Sequence, residues 1–284
     1  SICARTVEPI YSTKVHSLPI HPNTSFEFEN FEQSRRIFSG EQKGHVYSRY
    51  ANPTVEAVAS KLAELEVLGS DLSAKAYLTS SGMSAISTCL LTFARKHRRI
   101  LISRDLYGGT LELADKVIKP LGIDVDYVDL SDLSKLKKAL TENNYDLLFY
   151  ETPTNPLLKA FSMEEIHNLC QVHGTMSIVD NTFCTAYIQQ PLRHGADVVI
   201  YSATKYLAGH GNCTAGVVIS CHEEKMMKSF WPTLKLLGGV CSPFEAWNMN
   251  NGLKTLSLRL ERHSSNANAL AEFLDQRDTV LEVH

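Results

Sequence analysis

The chain of 284 residues is long enough to bury one large core and to begin a second one. Hydrophobic residues make up 44% of the sequence and charged residues 21%, as in ordinary globular proteins. A formal net charge of −3 gives no reason to expect nucleic acid or an anionic membrane as a partner, and no apolar run is long enough to cross a bilayer.

The first 53 residues have an irregular pattern rich in proline, and we expect them to form an extended arm outside the core. A helical face begins at Thr54, which we take as its cap. Beyond it, short apolar segments alternate with helical patterns, which is typical of a mostly parallel α/β sheet with helices on both faces. The predicted strands are 76–79, 99–103, 124–128, 146–150, 176–180, 197–201 and 215–220, and the predicted helices include 82–94, 133–140 and 163–173.

The pattern after Pro243 predicts one long helix over 244–260 that continues through the polar run 262–269. Residues 279–284 have the pattern of a strand that is just beginning. We therefore divide the chain into an arm (1–53), a large α/β domain (54–243) and a helix leading to a truncated C-terminal domain (244–284). We expect the chain to be a fragment of a longer protein.

Two charged residues of opposite sign stand at predicted strand ends. Asp180 closes the strand 176–180, and Lys205 follows the strand 197–201. The carboxyl ends of parallel strands form the edge at which open α/β sheets bind ligands. An enzyme that uses pyridoxal phosphate needs at least two side chains: a lysine that forms a Schiff base with the cofactor and an acid that holds its pyridinium nitrogen. We therefore predict a pyridoxal-phosphate enzyme, whose lysine is reactive if burial or a neighbouring cation favours loss of its proton.

Other groups at the same edge suit the rest of that cofactor. Hydroxyl groups of Ser202 and Thr204 lie on the turn that carries Lys205. Gly82 and Met83 open a helix directly after a strand, so their backbone N–H groups would point at a phosphate, although a plain tight turn explains this segment equally well.

Three further candidates follow strand ends. The ring of Tyr107 could stack on a planar cofactor, and its hydroxyl could move protons. Glu151 and Asn155 lie in a loop that two prolines stiffen, which suits the positioning of polar groups against a ring substituent.

Other interpretations of these residues fit the sequence less well. Tyr201 and Lys205 have the spacing of the Tyr-xxx-Lys pair of short-chain dehydrogenases, but the sequence contains no G-x-G-x-x-G turn. The seven cysteines form no CxxC pair, and their odd number argues against a complete disulfide framework. Cys170 and His173 lack a second ligand pair, so we expect no metal site. Free thiols suit a reducing cytoplasm, where we expect the protein.

These motifs resemble the Cys/Met-metabolism family of pyridoxal-phosphate enzymes, the cystathionine synthase and lyase group of fold type I. The resemblance runs over the whole chain, and its most specific motifs are residues 47–54, 151–156, 179–182 and 202–210. The sequence of residues 40–49 is most similar to the corresponding segment of methionine γ-lyases. Those enzymes, however, carry a cysteine at the position of Gly109 and an aspartate at that of Leu236, while Lys235 is kept.

The resemblance implies a role for each candidate residue. Lys205 would bond to the cofactor and then shuttle protons, Asp180 would pair with the pyridinium, and Tyr107 would stack on the ring and assist the leaving group. Glu151 and Asn155 would line the ring. The residues that would hold the phosphate are Gly82, Met83, Ser202 and Thr204.

The resemblance also implies an oligomer. Tyr47 and Arg49 of the arm would reach the phosphate of a neighbouring subunit, so we expect a homodimer or homotetramer with shared sites. Family members continue into a smaller C-terminal domain, which supplies the arginine that binds the substrate carboxylate.

The activity that fits best is elimination from a sulfur amino acid such as methionine, cystathionine or homocysteine, which yields a thiol, a 2-oxo acid and ammonia. A synthase or sulfhydrylase that joins an activated homoserine ester to a thiol uses the same motifs and stays open. The third possibility is a non-catalytic homologue, against which the presence of Lys205, Asp180 and Tyr107 argues.

Overall fold

The computed structural model describes residues 16–283, and within them seven strands form one sheet. The strands are β1 (Lys75–Thr79), β2 (Arg99–Ser103), β3 (Asp124–Val128), β4 (Leu147–Glu151), β5 (Met176–Asp180), β6 (Val198–Ser202) and β7 (Gly216–Ser220). Their order is β1-β7-β6-β5-β4-β2-β3. All neighbours are parallel except β7, which is antiparallel to both β1 and β6. The predicted mostly parallel α/β sheet is confirmed.

Helices cover both faces of the sheet. They are α1 (Phe31–Phe38), α2 (Pro53–Glu66), α3 (Gly82–Phe93), α4 (Gly108–Leu113), α5 (Leu133–Glu142), α6 (Met163–Val172), α7 (Thr185–Ile188), α8 (Glu223–Lys225), α9 (Trp231–Leu237), α10 (Pro243–Leu253) and α11 (Leu256–Asp275). Two π-helical segments (Ala114–Ile118 and Met226–Phe230) and two 3₁₀ segments (Lys119–Leu121 and Pro191–His194) extend or connect them. None of the helices in the described part of the chain is long and apolar enough to cross a membrane.

The central strands divide the core into two layers. Because successive side chains of a strand point to opposite faces, Ile178 of β5 packs in the layer that contains Leu90 of α3, while Val179 packs in the layer that contains Leu62 of α2. Tyr201 of β6 joins the second layer. The alternation therefore directs Asp180 and Ser202 toward the α3 face and Asn181 and Tyr201 toward the α2 face.

The prediction of an irregular arm is wrong in two respects. Residues 31–38 form α1, whose side chains are all at least partly exposed, so the hydrophobic pattern carried no signal for it. Asn30 caps this helix by accepting a hydrogen bond from the backbone of Gln33. Leu18 is buried in the core, so the described part of the arm also contributes to packing.

The cap predicted for α2 is also corrected. Asn52 is the cap, because its side chain accepts a hydrogen bond from the backbone N–H of Thr54 at 3.0 Å. Pro53 occupies the first helical turn, where no backbone N–H is needed. The Thr54 hydroxyl donates instead to the carbonyl of Pro19 at 2.8 Å, which fastens the arm to the helix.

The single helix predicted after Pro243 is two helices, α10 and α11. They are separated at Lys254 and Thr255, where the chain closes in tight turns onto Asn251 and Gly252. Gly252 lies so near the loop at Ala208 that a Cβ would stand 2.0 Å from the Ala208 carbonyl oxygen. The strand predicted at 279–284 does not form over residues 279–283, and residue 284 lies outside the described residues.

Candidate active site

The carboxyl ends of β1, β5 and β6 meet the beginning of β7 at one edge of the sheet. Gly216 stands opposite both Thr79 and Ser202 in the antiparallel ladders. A Cβ at Gly216 would lie 2.3 Å from the carbonyl oxygen of Ser81, and a Cβ at Gly82 would lie 2.7 Å from the Cβ of Ser202. The absence of a side chain at these two positions therefore allows the start of α3 to press against the end of β6.

Asp180 is 8% exposed at the end of β5. Thr182 donates its backbone N–H (3.0 Å) and its hydroxyl (2.6 Å) to Oδ1 of this carboxylate. No donor within residues 16–283 reaches Oδ2, which leaves that oxygen available to a ligand. Burial raises the pKa of Asp180, and the two hydrogen bonds from Thr182 act in the opposite direction. A cationic N–H group at Oδ2 would stabilise the ionised form.

Thr182 is a residue that the sequence reasoning missed. Besides holding Asp180, its hydroxyl accepts a hydrogen bond from the backbone N–H of Ser202 at 2.8 Å and so joins the ends of β5 and β6. A hydroxyl residue two positions after an aspartate is the pattern of an Asx turn, and that pattern could have identified it.

Lys205 lies on the turn directly after β6. The turn is closed by hydrogen bonds from the Lys205 N–H to the Ser202 carbonyl (3.1 Å) and from the Gly209 N–H to the Lys205 carbonyl (2.8 Å). The Lys205 side chain is exposed, so burial, one of the two conditions expected for a reactive lysine, is absent. Its ammonium has no hydrogen-bond or ion-pair partner in the described part of the chain and is free to meet a ligand.

The two hydroxyl groups of this turn differ. The Ser202 hydroxyl has no partner among the residues that the structure describes. The Thr204 hydroxyl is engaged with both the N–H (3.1 Å) and the carbonyl (3.2 Å) of Ala215. Ser202 therefore has the freer hydroxyl for a phosphate, and a role for Thr204 in phosphate binding stays a prediction.

The start of α3 adds backbone donors to the same edge. Ser81 caps the helix by accepting a hydrogen bond from the N–H of Ser84 at 3.0 Å. The N–H groups of Gly82 and Met83 belong to the first turn and have no acceptor within the helix. The partial positive charge of a helix N-terminus favours an anion at this position.

Glu151 connects three of the predicted residues. Its Oε2 accepts a hydrogen bond from the backbone N–H of Tyr107 at 3.0 Å, and the backbone of Asn155 acts to lower its pKa. It stands beside Asp180 in the parallel ladder of β4 and β5. Burial, and then the negative charge of Asp180, raise the pKa of Glu151 to about 7. The Glu151 carboxylate thus anchors the backbone of the Tyr107 loop.

The ring of Tyr107 is 49% exposed, so a flat ligand could stack on it. The ring lies over Gly109, where a Cβ would stand 2.5 Å from the Cε1 atom of Tyr107. Glycine at this position therefore permits the ring orientation that the structure shows.

The hydroxyl of Tyr201 lies on the α2 face, away from Lys205. It contacts the buried carboxyl of Glu66 and accepts a hydrogen bond from the Asn181 side chain at 3.1 Å. Tyr201 and Lys205 therefore do not act together on one ligand, and the dehydrogenase interpretation fails on geometry.

Tyr47 and Arg49 lie apart from this edge in the same chain. The Arg49 guanidinium stands over the rings of Tyr47 (5.5 Å) and Tyr50 (5.0 Å) and donates to the carbonyl of Lys235. The Lys235 ammonium in turn lies 3.9 Å from the ring centroid of Trp231. We call these five residues the cation–aromatic cluster. Within one subunit it makes no hydrogen bond to Ser202 or Lys205.

Within the described ranges, no three His, Cys, Asp or Glu side chains are placed to hold a metal ion. The cysteines of the described residues are all free thiols, and burial raises the pKa of Cys170 to about 12.

A profile of the Cys/Met metabolism PLP-dependent enzymes matches residues 4–284. The chain belongs to this family. Pyridoxal phosphate, the cofactor that the sequence predicted, is the cofactor of the family, and the residues at the sheet edge fit it. Asp180 offers an open carboxylate oxygen for the ring nitrogen, Ser202 and the start of α3 offer donors for the phosphate, and Lys205 offers a free amine for the aldehyde.

The chain is similar to several members of the family. It is 39% identical to O-succinylhomoserine sulfhydrylase of Pseudomonas aeruginosa, over 95% of this chain and 65% of that protein. It is 36% identical to L-methionine gamma-lyase of Fusobacterium nucleatum subsp. nucleatum, over 100% of this chain and 70% of that protein. The chain thus spans about two thirds of the length of these relatives.

A solved structure of an O-acetylhomoserine (thiol)-lyase from Campylobacter jejuni, which carries a pyridoxyl-lysine phosphate, superimposes with a TM-score of 0.88. The sequences are 28% identical, and the match covers 98% of this chain and 75% of that chain. The predicted fold type I architecture is confirmed by this likeness.

Proposed function

We propose that the protein is a carbon–sulfur lyase that uses pyridoxal phosphate to remove a thiol from methionine, cystathionine or homocysteine. Water then completes the reaction to a 2-oxo acid and ammonia. The observation that carries the proposal is that one sheet edge holds three groups without partners in the described part of the chain: the Asp180 Oδ2, the Ser202 hydroxyl and the Lys205 ammonium. The family membership of the chain supports the same chemistry.

The bound cofactor supplies an electron sink for negative charge that develops at the substrate Cα. Asp180 holds a proton on the ring nitrogen through its free Oδ2, because a buried carboxylate stabilises a nearby cation strongly. Ser202 and the first N–H groups of α3 hold the phosphate and orient the ring. The Lys205 Nζ takes the proton from the substrate Cα and delivers protons to later positions.

Tyr107 stacks on the ring and donates a proton toward the departing sulfur. Glu151 supports this role indirectly, because its carboxylate holds the backbone N–H of Tyr107. Asn155, in the loop after β4, directs its side-chain amide toward the ring substituents.

We further propose that two subunits share each site. The cation–aromatic cluster presents Tyr47, Arg49 and Lys235 together on the surface of one subunit. A guanidinium beside an ammonium suits the phosphate of a neighbouring site, because arginine makes bidentate contacts with phosphate. The assembly would be a homodimer, paired into a homotetramer. The free thiols of the described cysteines suit a cytoplasmic location.

The proposal is tested with the purified protein and pyridoxal phosphate. The wild type should show a visible absorption band that a Lys205→Ala variant lacks, and it should release thiol and 2-oxo acid from one of the three substrates. Absence of the band in the wild type would overturn the proposal.

A replacement reaction is the second candidate, because the similarity to O-succinylhomoserine sulfhydrylase favours it. Incubation with an activated homoserine ester and either sulfide or cysteine distinguishes the two. A new thiol or thioether without 2-oxo acid would identify a sulfhydrylase or synthase. A protein that carries the band but turns over neither set of substrates would be a non-catalytic homologue.

A further inference from the structure

Behind the active-site edge, on the α2 face of the sheet, lies a buried polar network. Glu66, the last residue of α2, is fully buried. One of its carboxyl oxygens contacts the Tyr201 hydroxyl, and the other accepts a hydrogen bond from the backbone N–H of Leu192 at 3.3 Å. The Asn181 side chain donates to the same hydroxyl at 3.1 Å.

Gln189 extends the network to a third strand. Its side-chain amide donates to the Asn181 Oδ1 at 3.0 Å and to the carbonyl oxygen of Thr152 at 2.9 Å. The Asn181 amide donates back to the carbonyl of Gln189 at 2.8 Å. The two residues are therefore joined by two hydrogen bonds, and the bond from Gln189 to Thr152 attaches the network to the backbone that follows β4.

Each strand-end contact of this network is one residue from a residue of the proposed site. Tyr201 precedes Ser202, Asn181 follows Asp180, and Thr152 follows Glu151. Because adjacent side chains of a strand alternate between faces, a group that holds one residue on the α2 face also fixes the next residue on the α3 face. The ends of β4, β5 and β6 are thus tied together from behind.

A buried carboxyl is costly, and it persists only where hydrogen bonds compensate the loss of water. Burial raises the pKa of Glu66 to about 8, while the hydrogen bonds from Tyr201 and Leu192 act against that rise. The thiol of Cys221 is a further titratable group that the charge of this carboxyl affects, and burial raises the pKa of that thiol. An apolar contact between α2 and β6 would have sufficed for packing alone.

We propose that Glu66, Tyr201, Asn181 and Gln189 are positioning residues, which hold the three strand ends so that Glu151, Asp180 and Ser202 face the cofactor. This inference rests on the proposed function only for the identity of the ligand. The hydrogen bonds that hold the three strand ends are present without the ligand. On the other face, Thr182 joins Asp180 to the Ser202 backbone, so the ends of β5 and β6 are held from both sides.

The test compares two tyrosine variants in the full chain. Tyr201→Phe removes the hydroxyl, so the Glu66 oxygen that contacts it loses its donor and Asn181 loses one acceptor. Tyr150→Phe is the matched control, because Tyr150 is equally buried, packs in the same layer from β4, two strands away from β6, and has a hydroxyl that bonds to nothing in the described residues.

Two measurements are made on each variant. Amide hydrogen exchange, followed without the cofactor, should be about tenfold faster at residues 180–182 and 202 in Tyr201→Phe and unchanged in Tyr150→Phe. The dissociation constant for pyridoxal phosphate, titrated by visible absorption, should rise about tenfold in Tyr201→Phe alone. Faster exchange confined to these strand ends, with weaker cofactor binding, is not expected from a general loss of stability.

The proposal is overturned if Tyr201→Phe matches Tyr150→Phe in the exchange of the strand ends. Should Tyr201→Phe not fold, Glu66→Gln makes the same test, because it keeps the size of the side chain and disturbs the same contacts. A wild-type protein without any cofactor band would refute the proposed function, and the exchange comparison would still decide whether the strand ends are clamped.

Discussion

Two aspartates at opposite edges of the same sheet have different surroundings. Asp197 stands just before β6, and its Oδ2 accepts hydrogen bonds from the backbone (2.8 Å) and the hydroxyl (2.9 Å) of Ser177. Its Oδ1 lies 2.9 Å from the His222 Nε2. Asp180 stands at the end of β5 with a single oxygen engaged, by Thr182. One carboxylate is saturated by the protein, and the other keeps an open oxygen.

The amino edge of the sheet has a structural role, whereas the carboxyl edge has groups available for chemistry. At the amino edge the Asp197 carboxylate closes the connection between strands, with His167 4.0 Å away on its other side. At the carboxyl edge, Asp180, Ser202 and Lys205 each keep a group without a partner among residues 16–283. Buried polar groups are normally paired, so the open oxygen of the buried Asp180, at the same edge as the Ser202 hydroxyl and the exposed Lys205, indicates a ligand.

The largest expected effect is the loss of the amine at the carboxyl edge. Lys205→Ala should lower activity on the order of 10⁴-fold or more, because no other group there can bond the aldehyde and move the Cα proton. The visible absorption band and the rate of thiol release measure the change. Lys137→Ala, at an exposed lysine of α5, is the control and should keep both.

The two aspartates can be exchanged for asparagine in turn. Asp180→Asn should lower the rate of thiol release on the order of 10³-fold, because the ring nitrogen loses the anion that keeps it protonated. Asp197→Asn should instead lower the free energy of unfolding by about 1–3 kcal/mol while cofactor binding is retained, since it weakens the contacts with Ser177 and His222. Equal loss of activity in both variants would refute the contrast between the edges.

The stability of the cofactor-free protein should depend on Glu151. Its pKa rises on folding from 4.5 to about 7, so the folded state binds more protons than the unfolded state between these values. The contribution of Glu151 to the free energy of unfolding should therefore be fully present below pH 4.5 and fall by about 3 kcal/mol as the pH rises through 7. Urea unfolding across this range should show a shallower slope in Glu151→Gln, with a residual slope from Glu66. An unchanged slope would refute the assignment.

The smallest effect is expected at Gly109. In Gly109→Ala the new Cβ would meet the Tyr107 ring, which must move, and thiol release should slow by about tenfold. Gly108→Ala is the control, because a Cβ there meets nothing within 4 Å. If both variants keep the wild-type rate, the orientation of Tyr107 over Gly109 does not matter to the reaction.

The sequence pattern predicted the ends of several strands correctly but missed some of the helices. The predicted bounds of β2, β3 and β5 agree with the structure, because a short apolar run flanked by polar residues has few alternative arrangements. Asp180 and Lys205 could be placed at one edge because parallel strands carry their ends to the same side. The helix α1 was missed because it buries none of its side chains, and the break between α10 and α11 was missed because the apolar and polar pattern runs through it without interruption.

The sequence by itself determined the alternation of strands and helices, the cofactor and the lysine and acid that suit it. These features follow from local periodicity and from motifs a few residues long. Only the tertiary structure decided which polar groups are satisfied by the protein and which are left for a ligand. The Glu66 carboxyl and the Tyr201 hydroxyl stand 135 residues apart in the chain, so no local pattern could have paired them. Their contact depends on how α2 packs against the sheet, which is a property of the whole fold.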